Sequence, residues 1–421
     1  MIKIRSKIKQ KLRGFALSHC EPMPPSAPLN FRKRNASAFT LVELLVSMLL
    51  LIIITGIVVQ TTNQTSQIWI SSRSRIQSFQ EARAGFQAMT AKLSQATLNT
   101  YFDYYGTTST VTGTIARSTL SGTTALANFI PSTYDRYSDL HFVSGQAAAF
   151  KLLLSASAAT TGTITTQTQA AFFQSPLGYS ADPNYQELDN ALNACGYFLQ
   201  FDEAKSYVPP HIVNSTGYIP RYRFRLMEMT QPTEQLVVYS GTSNDWFVKN
   251  AVANSRIIAE NVIALVILPK LPASQDDPDK AGGGVTLAPF YNYNSRVPFK
   301  ATQDPSWTSF PGDSFTAYPM AGGTSNGTRH AQLPPMMRVV MVVIDETSAA
   351  RIQGASTTVP AAINLASTAL FTDAKKLDQD IQSVEDICNA KPGNATGNTV
   401  KLTHRVFSTE IILPAAKWSN K

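Results

Sequence analysis

Cysteine and charged residues are both scarce in this chain. Its 421 residues include three cysteines, at Cys20, Cys195 and Cys388, and charged side chains make up 15% of the composition. Three cysteines cannot build the dense disulfide framework of a small secreted domain. A chain of this length does not need one, because it can bury a sizeable hydrophobic core and has room for two or three domains.

The excess positive charge of the chain is confined to its beginning. The formal net charge is +8, and nine basic residues but a single acid, Glu21, precede Phe39. Residues 39–421 contain 27 basic and 27 acidic side chains, so this part is neutral. Binding to a phosphate backbone requires a basic surface, and we therefore expect no nucleic-acid partner. The alternating segment RYRFRL at 221–226 has the period of a half-exposed strand.

The sequence offers little support for a catalytic or cofactor site. The phosphate-binding loop GxxxxGK and GxGxxG are absent. GxSxG occurs once, as GTSNG at 323–327, in a Gly- and Thr-rich stretch, and a match of three residues carries little weight without a strand before it and a helix after it. The acidic loop at 276–279 lacks the spacing of an EF-hand and is expected to be a solvated turn. We predict that the protein is not an enzyme and that it uses no metal or cofactor. His141 is expected to be a hydrogen-bonded structural residue, since HxxxH and HExxH spacings are absent among His141, His211, His330 and His404.

A long apolar run is the clearest feature that is present. Residues 39–59 read FTLVELLVSMLLLIIITGIVV, with Glu43 as the only charge. As a helix this run is roughly 31 Å long, which matches the hydrocarbon core of a bilayer. Arg32, Lys33 and Arg34 precede it, and basic flanks stay on the cytoplasmic side. The sequence predicts a single-pass protein of the inner (cytoplasmic) membrane with a cytoplasmic N-terminus and a periplasmic or extracellular head.

The small residues stand on the wrong side of this run for an ordinary signal peptide. Such a peptide is cut after its apolar region, whereas Ala36, Ser37 and Ala38 come before it. Glu43 lies inside the run, where an ionisable group is costly and usually has a partner. If the chain is cut after Ala38, the ammonium of Phe39 on a neighbouring helix can pair with Glu43 and fix the register between subunits. A glutamate that snorkels to the interface is the simpler alternative.

The string AFTLVE at 38–43, followed by the apolar run, resembles the prepilin cleavage and methylation motif of type IV pilins and type II secretion pseudopilins. The resemblance implies cleavage by a prepilin peptidase after Ala38 and methylation of the amine of Phe39. It also implies that Glu43 is the fifth mature residue, with a role in assembly. The chain departs from the family at Ala38, where glycine is usual, and in its long leader of 38 residues.

An amphipathic pattern follows the apolar run. Apolar residues recur in steps of three and four, which predicts one helix over 39–98 with a transmembrane half at 39–59 and an amphipathic half at 60–98. Short β-type runs then predict a β-rich head over 99–421, and the fold class is expected to be α+β, pilin-like. The predicted strands are 140–143, 196–201, 221–226, 235–239, 262–268, 338–344 and 405–413, with a further helix at 373–389.

Two kinds of segment in the head have a clear expected place. The runs VIALVIL at 262–268 and VVMVVI at 339–344 are apolar throughout, so they are predicted to be central strands. Residues 106–128 and 155–169 are rich in Thr, Ser and Ala and are predicted to be long surface loops.

Several strings of the head resemble a narrower group of prepilin-like proteins, the Verru_Chthon cassette protein C family. The resemblance implies an envelope-associated protein encoded beside related proteins, and it brings no known reaction. The strings that carry it are SDLHFVSG at 138–145, LNACGYF at 192–198, RYRFRLMEMTQPTEQLVVYS at 221–240, AENVIALVILPKLP at 259–272, LAPFYNYNSR at 287–296, RVVMVVIDE at 338–346 and RVFSTEIILPAAKWS at 405–419.

Two cysteines remain after removal of the leader, Cys195 and Cys388, in a compartment where disulfides form. Cys388 also fits the apolar stripe of its predicted helix. Either a disulfide between them or two buried free thiols agrees with the sequence.

These patterns favour a structural subunit, a minor pilin or pseudopilin of an envelope-spanning type IV pilus or type II secretion-like fibre. Its expected partners are the membrane, a prepilin peptidase and other pilin or pseudopilin subunits. The bulk of residues 99–421 favours a low-copy position over a major one. The alternative is a single-pass membrane-anchored extracytoplasmic binding protein that does not assemble into a fibre.

Overall fold

The computed structural model describes residues 40–109, 115–120, 122–154, 162–185, 187–203, 205, 208–240, 245–272, 287–288, 290–296, 331–354 and 356–417. The chain divides into two compact units, Met1–Thr65 and Ser66–Lys421. In the first unit the described residues are helical from Leu41 onward. The second unit contains the rest of that helix and every strand of the described residues. The fold class is α+β, as predicted.

Helix α1 covers Leu41–Leu93, five residues less at its C-terminal end than predicted. The chain leaves the helix there because its backbone joins a sheet: the N–H of Thr97 donates to the carbonyl of Gln174 at 2.9 Å. The other helices are short. They are α2 Thr123–Ala127, α3 Ala147–Phe150, α4 Pro210–Val213, α5 Asp245–Val248, α6 Glu346–Gln353 and α7 Leu377–Cys388.

The described strands form three antiparallel sheets. The largest has the order β10-β4-β5-β6-β7-β8, a second has the order β12-β11-β9, and a small one has the order β2-β1-β3. The strands are β1 Tyr101–Thr107, β2 Ile115–Ala116, β3 Ile130–Tyr137, β4 Val143–Gln146, β5 Gln169–Pro176, β6 Leu192–Glu203, β7 Tyr222–Gln231, β8 Ser255–Glu260, β9 Val262–Lys270, β10 Tyr293–Asn294, β11 Met336–Ile344 and β12 His404–Ile412.

The two apolar runs become β9 and β11, but only β11 is central within its sheet. β9 is an end strand, and polar side chains replace its missing neighbour. The N–H of Leu265 donates to Thr168 Oγ1 at 3.0 Å, and the N–H of Ile267 donates to Gln169 Oε1 at 2.9 Å. Gln167 Nε2 donates to the carbonyl of Ile263 at 2.5 Å. An end strand can therefore be fully buried, because its backbone groups are satisfied from outside the sheet.

Several sequence-based assignments differ from the structure. Residues 235–239 were expected to be a strand, but the chain forms 3-10 turns at Thr233–Gln235 and Val238–Ser240. The strand expected at 140–143 begins at Val143. β5 begins at Gln169, the last residue of the loop expected at 155–169. This strand was not predicted, because its sequence contains glutamines and a serine, which are nevertheless buried. Gly, Asp and Pro within β1 and β3 hid the small sheet in the same way.

Hydrophobic side chains cover both faces of the six-stranded sheet. Neighbouring residues of β5 show the alternation: Ala171 and Phe173 belong to one buried cluster, and Ala170 and Phe172 belong to another. The first cluster also takes in β9, β11 and the C-terminal part of α1, and the second packs around Trp246. Because both faces of this sheet are covered, β5, β6 and β7 are buried along almost their whole length.

Candidate functional site

The first turn of α1 is held by its own side chains. Thr40 precedes the helix, and its Oγ1 accepts a hydrogen bond from the N–H of Glu43 at 3.4 Å, while its carbonyl accepts one from Leu44 at 3.2 Å. Thr-x-x-Glu is the spacing of a capping box. The carboxylate of Glu43 lies in the first turn, where the positive end of the helix dipole favours an acid.

The apolar side chains that follow have no contact partner in the described structure of the first unit. Every residue of α1 from Leu41 to Thr65 is exposed. The large apolar ones are about half to three-quarters exposed, from 50% at Ile53 to 77% at Leu41. A water-exposed cylinder of this kind is unfavourable, whereas the same surface is stable in a lipid bilayer. The helix is long and apolar enough to cross a membrane.

The polar side chains of this helix satisfy themselves internally. The hydroxyls of Ser47 and Thr55 donate to the carbonyls of Leu44 and Leu51, at 2.9 and 2.7 Å. Thr61 donates to backbone carbonyls of the preceding turn in the same way. In lipid no water is available to satisfy polar groups, so these local hydrogen bonds suit a membrane-spanning segment. Among the described residues up to Val59, Glu43 is the sole ionisable side chain.

Further along, the part of α1 that belongs to the second unit packs on the head. Ala82, Phe86, Met89 and Leu93 are buried at helical spacing and join the first hydrophobic cluster. The ring of Phe86 lies 5.8 Å from that of Phe407 on β12. Burying one phenylalanine contributes about 2–3 kcal/mol, so this stripe fixes the helix firmly to the sheet.

A buried carboxylate joins the last turn of α1 to the large sheet, on the strand next to the edge strand β8. Glu228 on β7 accepts hydrogen bonds from Lys92 Nζ at 2.9 Å, from Tyr197 Oη at 2.7 Å and from Arg256 Nε at 2.7 Å. Burial opposes ionisation of Glu228, but these hydrogen bonds outweigh it and hold its pKa below the ordinary value. Burial and the charge of Glu228 raise the pKa of Tyr197. We call Glu228, Lys92, Tyr197 and Arg256 the Glu228 cluster.

Two further contacts connect α1 to the head. Gly85 permits a close approach to β8, because a Cβ at residue 85 would lie 2.9 Å from the carbonyl oxygen of Ile258. Arg75 Nε lies 3.0 Å from the buried carboxylate of Asp345. Asp345 also caps α6 by accepting a hydrogen bond from the N–H of Ser348 at 3.0 Å. Hydrophobic packing and ion pairs thus both hold residues 75–93 of α1 against the head.

Of the residues assigned to processing and assembly, the structure describes Glu43. Ala38 and Phe39 lie outside the described residues, and so do the leader, His330 and the acidic loop at 276–279. Within the described part of the chain, no group of three or more His, Cys, Asp or Glu side chains could hold a metal ion.

The two cysteines are buried free thiols. Cys195 lies on β6 beside the Glu228 cluster, and Cys388 is the last residue of α7. Burial raises the pKa of each thiol to about 12. Because the thiolate is the reactive form, both side chains are inert at neutral pH and serve as small apolar residues.

The alternating arginines of β7 are not on a half-exposed strand, as their spacing suggested. Both faces of β7 are covered, and the side chains of Arg223 and Arg225 are buried. Arg223 donates to Glu346 Oε1 at 3.0 Å, and Arg225 donates to Glu260 Oε1 at 3.3 Å. These guanidinium groups are engaged in ion pairs within the fold and do not present a surface for phosphate groups.

His141 is fully buried just before β4 and is hydrogen-bonded on both ring nitrogens. Trp246 Nε1 donates to its Nδ1 at 3.1 Å, and its Nε2 lies 2.8 Å from Asn294 Oδ1. Since Nδ1 accepts, the ring is neutral with its proton on Nε2, which donates to Asn294. Burial and the nearby charge of Arg296 hold the pKa of His141 well below 6.5.

This burial predicts a dependence of stability on pH. The unfolded chain takes up a proton at His141 near pH 6.5, and the folded chain does not until the pH is much lower. The contribution of neutral His141 to the free energy of unfolding is therefore fully present above pH 6.5. Below pH 6.5 it falls by about 1.4 kcal/mol per pH unit, until the pH reaches the pKa of His141 in the folded chain. Urea unfolding between pH 7 and about pH 5 measures this slope. His141→Gln should remove it and His211→Gln, at an exposed site, should not; equal slopes in all three proteins would contradict the prediction.

The Glu228 cluster was missed by sequence reasoning. A glutamate inside the apolar string LMEM at 226–229 is a signal of a buried, partnered charge. Its partner Lys92 lies 136 residues earlier in the chain, and no local pattern connects the two. Thr40 was missed as well, although the Thr-x-x-Glu spacing to Glu43 indicates it directly.

Comparison with known proteins supports the reading of the N-terminal segment. The family described as "Prokaryotic N-terminal methylation motif" matches residues 33–59 of this chain. The match supports a prepilin-like protein of the type IV pilin family. No curated protein and no solved structure matches the chain. The matched residues include Ala38, Phe39 and Glu43.

The prepilin motif implies processing by prepilin peptidase and association with the membrane. Among the described residues one helix is long and apolar enough to cross a membrane, which is consistent with a single-pass anchor. A motif of this kind belongs to structural proteins more than to catalysts.

Proposed function

We propose that this prepilin-like protein is a structural subunit, a minor pilin or pseudopilin, of a short envelope-spanning fibre of the type IV pilus or type II secretion kind. The observation that carries the proposal is the methylation motif at residues 33–59, together with a helix on which every described residue up to Thr65 is exposed. Such a surface needs either lipid or other helices around it.

In this proposal the chain is divided by processing. Residues 1–38 are the basic leader and are removed after Ala38. Residues 39–59 form the transmembrane half of the N-terminal helix and residues 60–98 its amphipathic half. Residues 99–421 form the extracytoplasmic head. Arg32, Lys33 and Arg34 keep the leader in the cytoplasm, and the head is periplasmic or extracellular.

Glu43 supplies the register between subunits. Its carboxylate is exposed on the first turn, four residues along the chain from the amine that cleavage would create at Phe39. When helices pack together in a fibre, this carboxylate loses water and needs a cationic partner, which the methylated amine of a neighbouring subunit provides. The capping hydrogen bond from Glu43 N–H to Thr40 holds the first turn in place for this contact.

The head supports a low-copy position. Residues 99–421 are bulky for a repeating subunit, and the head is attached to its helix by a hydrophobic stripe and by the Glu228 cluster. The strings shared with the Verru_Chthon cassette protein C family agree with a prepilin-like protein that acts beside related proteins. We propose that the protein belongs to that group.

The second candidate is a membrane-anchored extracytoplasmic binding protein that never enters a fibre. The exposed apolar helix favours it as much as it favours a fibre subunit, because lipid alone can cover that surface. The two candidates differ in whether the mature chain contacts other subunits through its helix.

The test of processing is the mass and N-terminal sequence of the protein recovered from native membranes. We expect a chain that begins at Phe39 and carries one added methyl group on its amine. An intact residue 1, or a start at any other position, would contradict the proposal. Ala38→Gly is the matched variant: it restores the usual residue before the cut and should raise the fraction of cleaved chain or leave it unchanged.

A further inference from the structure

Strand β12 ends its three-stranded sheet, and its outer edge is open within the described structure. The strand pairs with β11 over its whole length without a shift of register. Among the described residues, the backbone of 404–412 has hydrogen bonds to β11 and to no other segment. Every residue of β12 is at least partly exposed, whereas β11 is buried along most of its length.

The pairing with β11 determines which backbone groups of β12 point outward. The ladder continues past both ends of the strand: the N–H of Leu413 donates to the carbonyl of Pro335 at 3.1 Å, and the N–H of Asp345 donates to the carbonyl of Thr403 at 2.9 Å. In an antiparallel ladder, only every second residue bonds the neighbouring strand. The odd-numbered residues of β12 therefore bond β11, and the even-numbered ones direct their N–H and C=O groups away from the sheet.

The other end strands of the described sheets are protected or short. Side chains of residues 167–169 satisfy the backbone of β9, and α1 approaches β8 at Gly85. β3 contains Pro131 and has an irregular ladder with β1, and β2 and β10 are two residues long. Proline, bulges and covering segments are the usual means of blocking an edge. β12, with the sequence HRVFSTEII and a regular ladder, has none of them.

We propose that β12 binds an extended segment of another polypeptide, which joins this sheet as a fourth strand. Unpaired N–H and C=O groups that recur at every second residue are complementary to one kind of ligand, an extended peptide backbone. The pairing would satisfy the outward groups of β12 along the whole edge.

Charges near the two ends of β12 define the sequence of the partner. Arg405 lies over the ring of Phe79, 5.8 Å from its centroid, and Glu410 accepts a hydrogen bond from Lys270 Nζ at 2.7 Å. Both charged residues are held in place and remain exposed. An antiparallel segment with a base followed five positions later by an acid places the acid opposite Arg405 and the base opposite Glu410. Opposite charges on facing residues stabilise strand pairs.

A second copy of this chain does not fit this edge. The twofold axis of an antiparallel β12 pair is perpendicular to the sheet, so facing residues are both odd or both even, and Arg405 cannot face Glu410. The same axis would reverse the part of α1 that packs on the sheet, whereas two anchored copies insert their helices in the same direction. This last argument rests on the membrane anchor of the proposed function, and the open edge does not.

The experiment is binding of a fluorescent peptide of sequence HRVFSTEII to the full chain in detergent, followed by fluorescence anisotropy. The free peptide carries a base and an acid in the required order and has no anchor. We expect saturable binding with the peptide's arginine opposite Glu410, which turns its fourth and sixth residues toward β12. N-methylation of those two backbone nitrogens should weaken binding about tenfold or more, because hydrogen bonds to the edge are lost. N-methylation of the third and fifth should not.

Failure of the unmodified peptide to bind, or equal weakening by the two methylated peptides, would overturn the proposal. Ser408→Pro removes an outward N–H and should abolish binding, while the bonds to β11 remain. Ser408→Thr keeps that N–H and should bind like the wild type. Thermal melting checks that both variants fold, and the methylated peptides test the wild-type chain independently of either variant.

The source of the partner strand is tested in native membranes with Ser408→Cys and a maleimide–diazirine cross-linker. Cys195 and Cys388 are buried, so the linker attaches at residue 408 of the mature chain. We expect a product that joins one copy of this chain to a different polypeptide and disappears when the free peptide is added. A product that contains two copies would overturn the choice of partner. A start elsewhere than Phe39 would contradict the proposed function and leave peptide binding unchanged.

Discussion

Replacing Glu228 by alanine is expected to lower the free energy of unfolding of the head by about 3 kcal/mol. The carboxylate is buried on β7 of the six-stranded sheet and is the common partner of Lys92, Tyr197 and Arg256. Its removal leaves the hydroxyl of Tyr197, which is fully buried, without an acceptor, and leaves the partly buried ammonium of Lys92 without a counter-charge. Each of these groups then retains its desolvation cost.

The measurement is urea unfolding of the full chain, followed by the fluorescence of the buried Trp246. Glu228→Gln keeps the shape and one acceptor, so we expect a smaller loss of about 1–2 kcal/mol. The matched control is Asp378→Ala, which removes an equally short ion pair to Arg338 from a site where the acid is 80% exposed. Exposed pairs contribute about 1 kcal/mol or less. If Glu228→Ala costs no more than the control, the cluster does not secure the helix.

The second large effect concerns Glu43. Under the proposed function, Glu43→Ala should leave cleavage and methylation at Phe39 intact and reduce incorporation into a fibre about tenfold or more. Loss of one partner from a buried ion pair costs about 3–5 kcal/mol, enough to abolish a weak subunit contact. The readout is the fraction of mature chain that cross-links to other subunits in native membranes, together with its mass.

Two variants separate the charge of Glu43 from its position. Glu43→Gln keeps the size of the side chain and should fail like alanine, because the neutral amide cannot compensate an ammonium. Glu81→Gln removes an acid from the same helix in the second unit, where it accepts a hydrogen bond from Gln77, and should cross-link normally. Normal cross-linking of Glu43→Ala would contradict the assembly role. A chain that begins elsewhere than Phe39 would instead contradict the processing step.

The elements with long, uniform patterns were readable from the sequence. The apolar run at 39–59 required a helix because no other single segment satisfies its backbone in lipid. The runs that became β9, β11 and β12 and the periodic helix α7 were also found, since burial on one or two faces leaves a repeat of fixed period. Cys388 was correctly placed in the apolar stripe of α7.

The strands that were missed have mixed composition. β5 contains Gln169, Gln174 and Ser175, all of which are buried. Gln169 Oε1 accepts a hydrogen bond from the N–H of Ile267 on β9, and Gln174 Oε1 accepts one from the N–H of His141. Polar residues at buried positions interrupt the pattern of apolar residues by which a buried strand is recognised in a sequence. The small sheet was missed for a related reason, because exposed aromatic rings have no expected place in a core pattern.

The sequence by itself indicated the prepilin motif and the membrane-spanning helix, because both are properties of a contiguous segment. The peptidase motif, the basic flank, the apolar run and Glu43 are all within residues 32–59 and need no tertiary contact to be recognised. Only the tertiary structure showed that Lys92 forms an ion pair with Glu228 and that side chains satisfy the backbone groups at the outer edge of β9. It also showed that the rings of Phe102, Tyr104 and Tyr134 are in contact. These groups are distant along the chain, and folding alone brings them together.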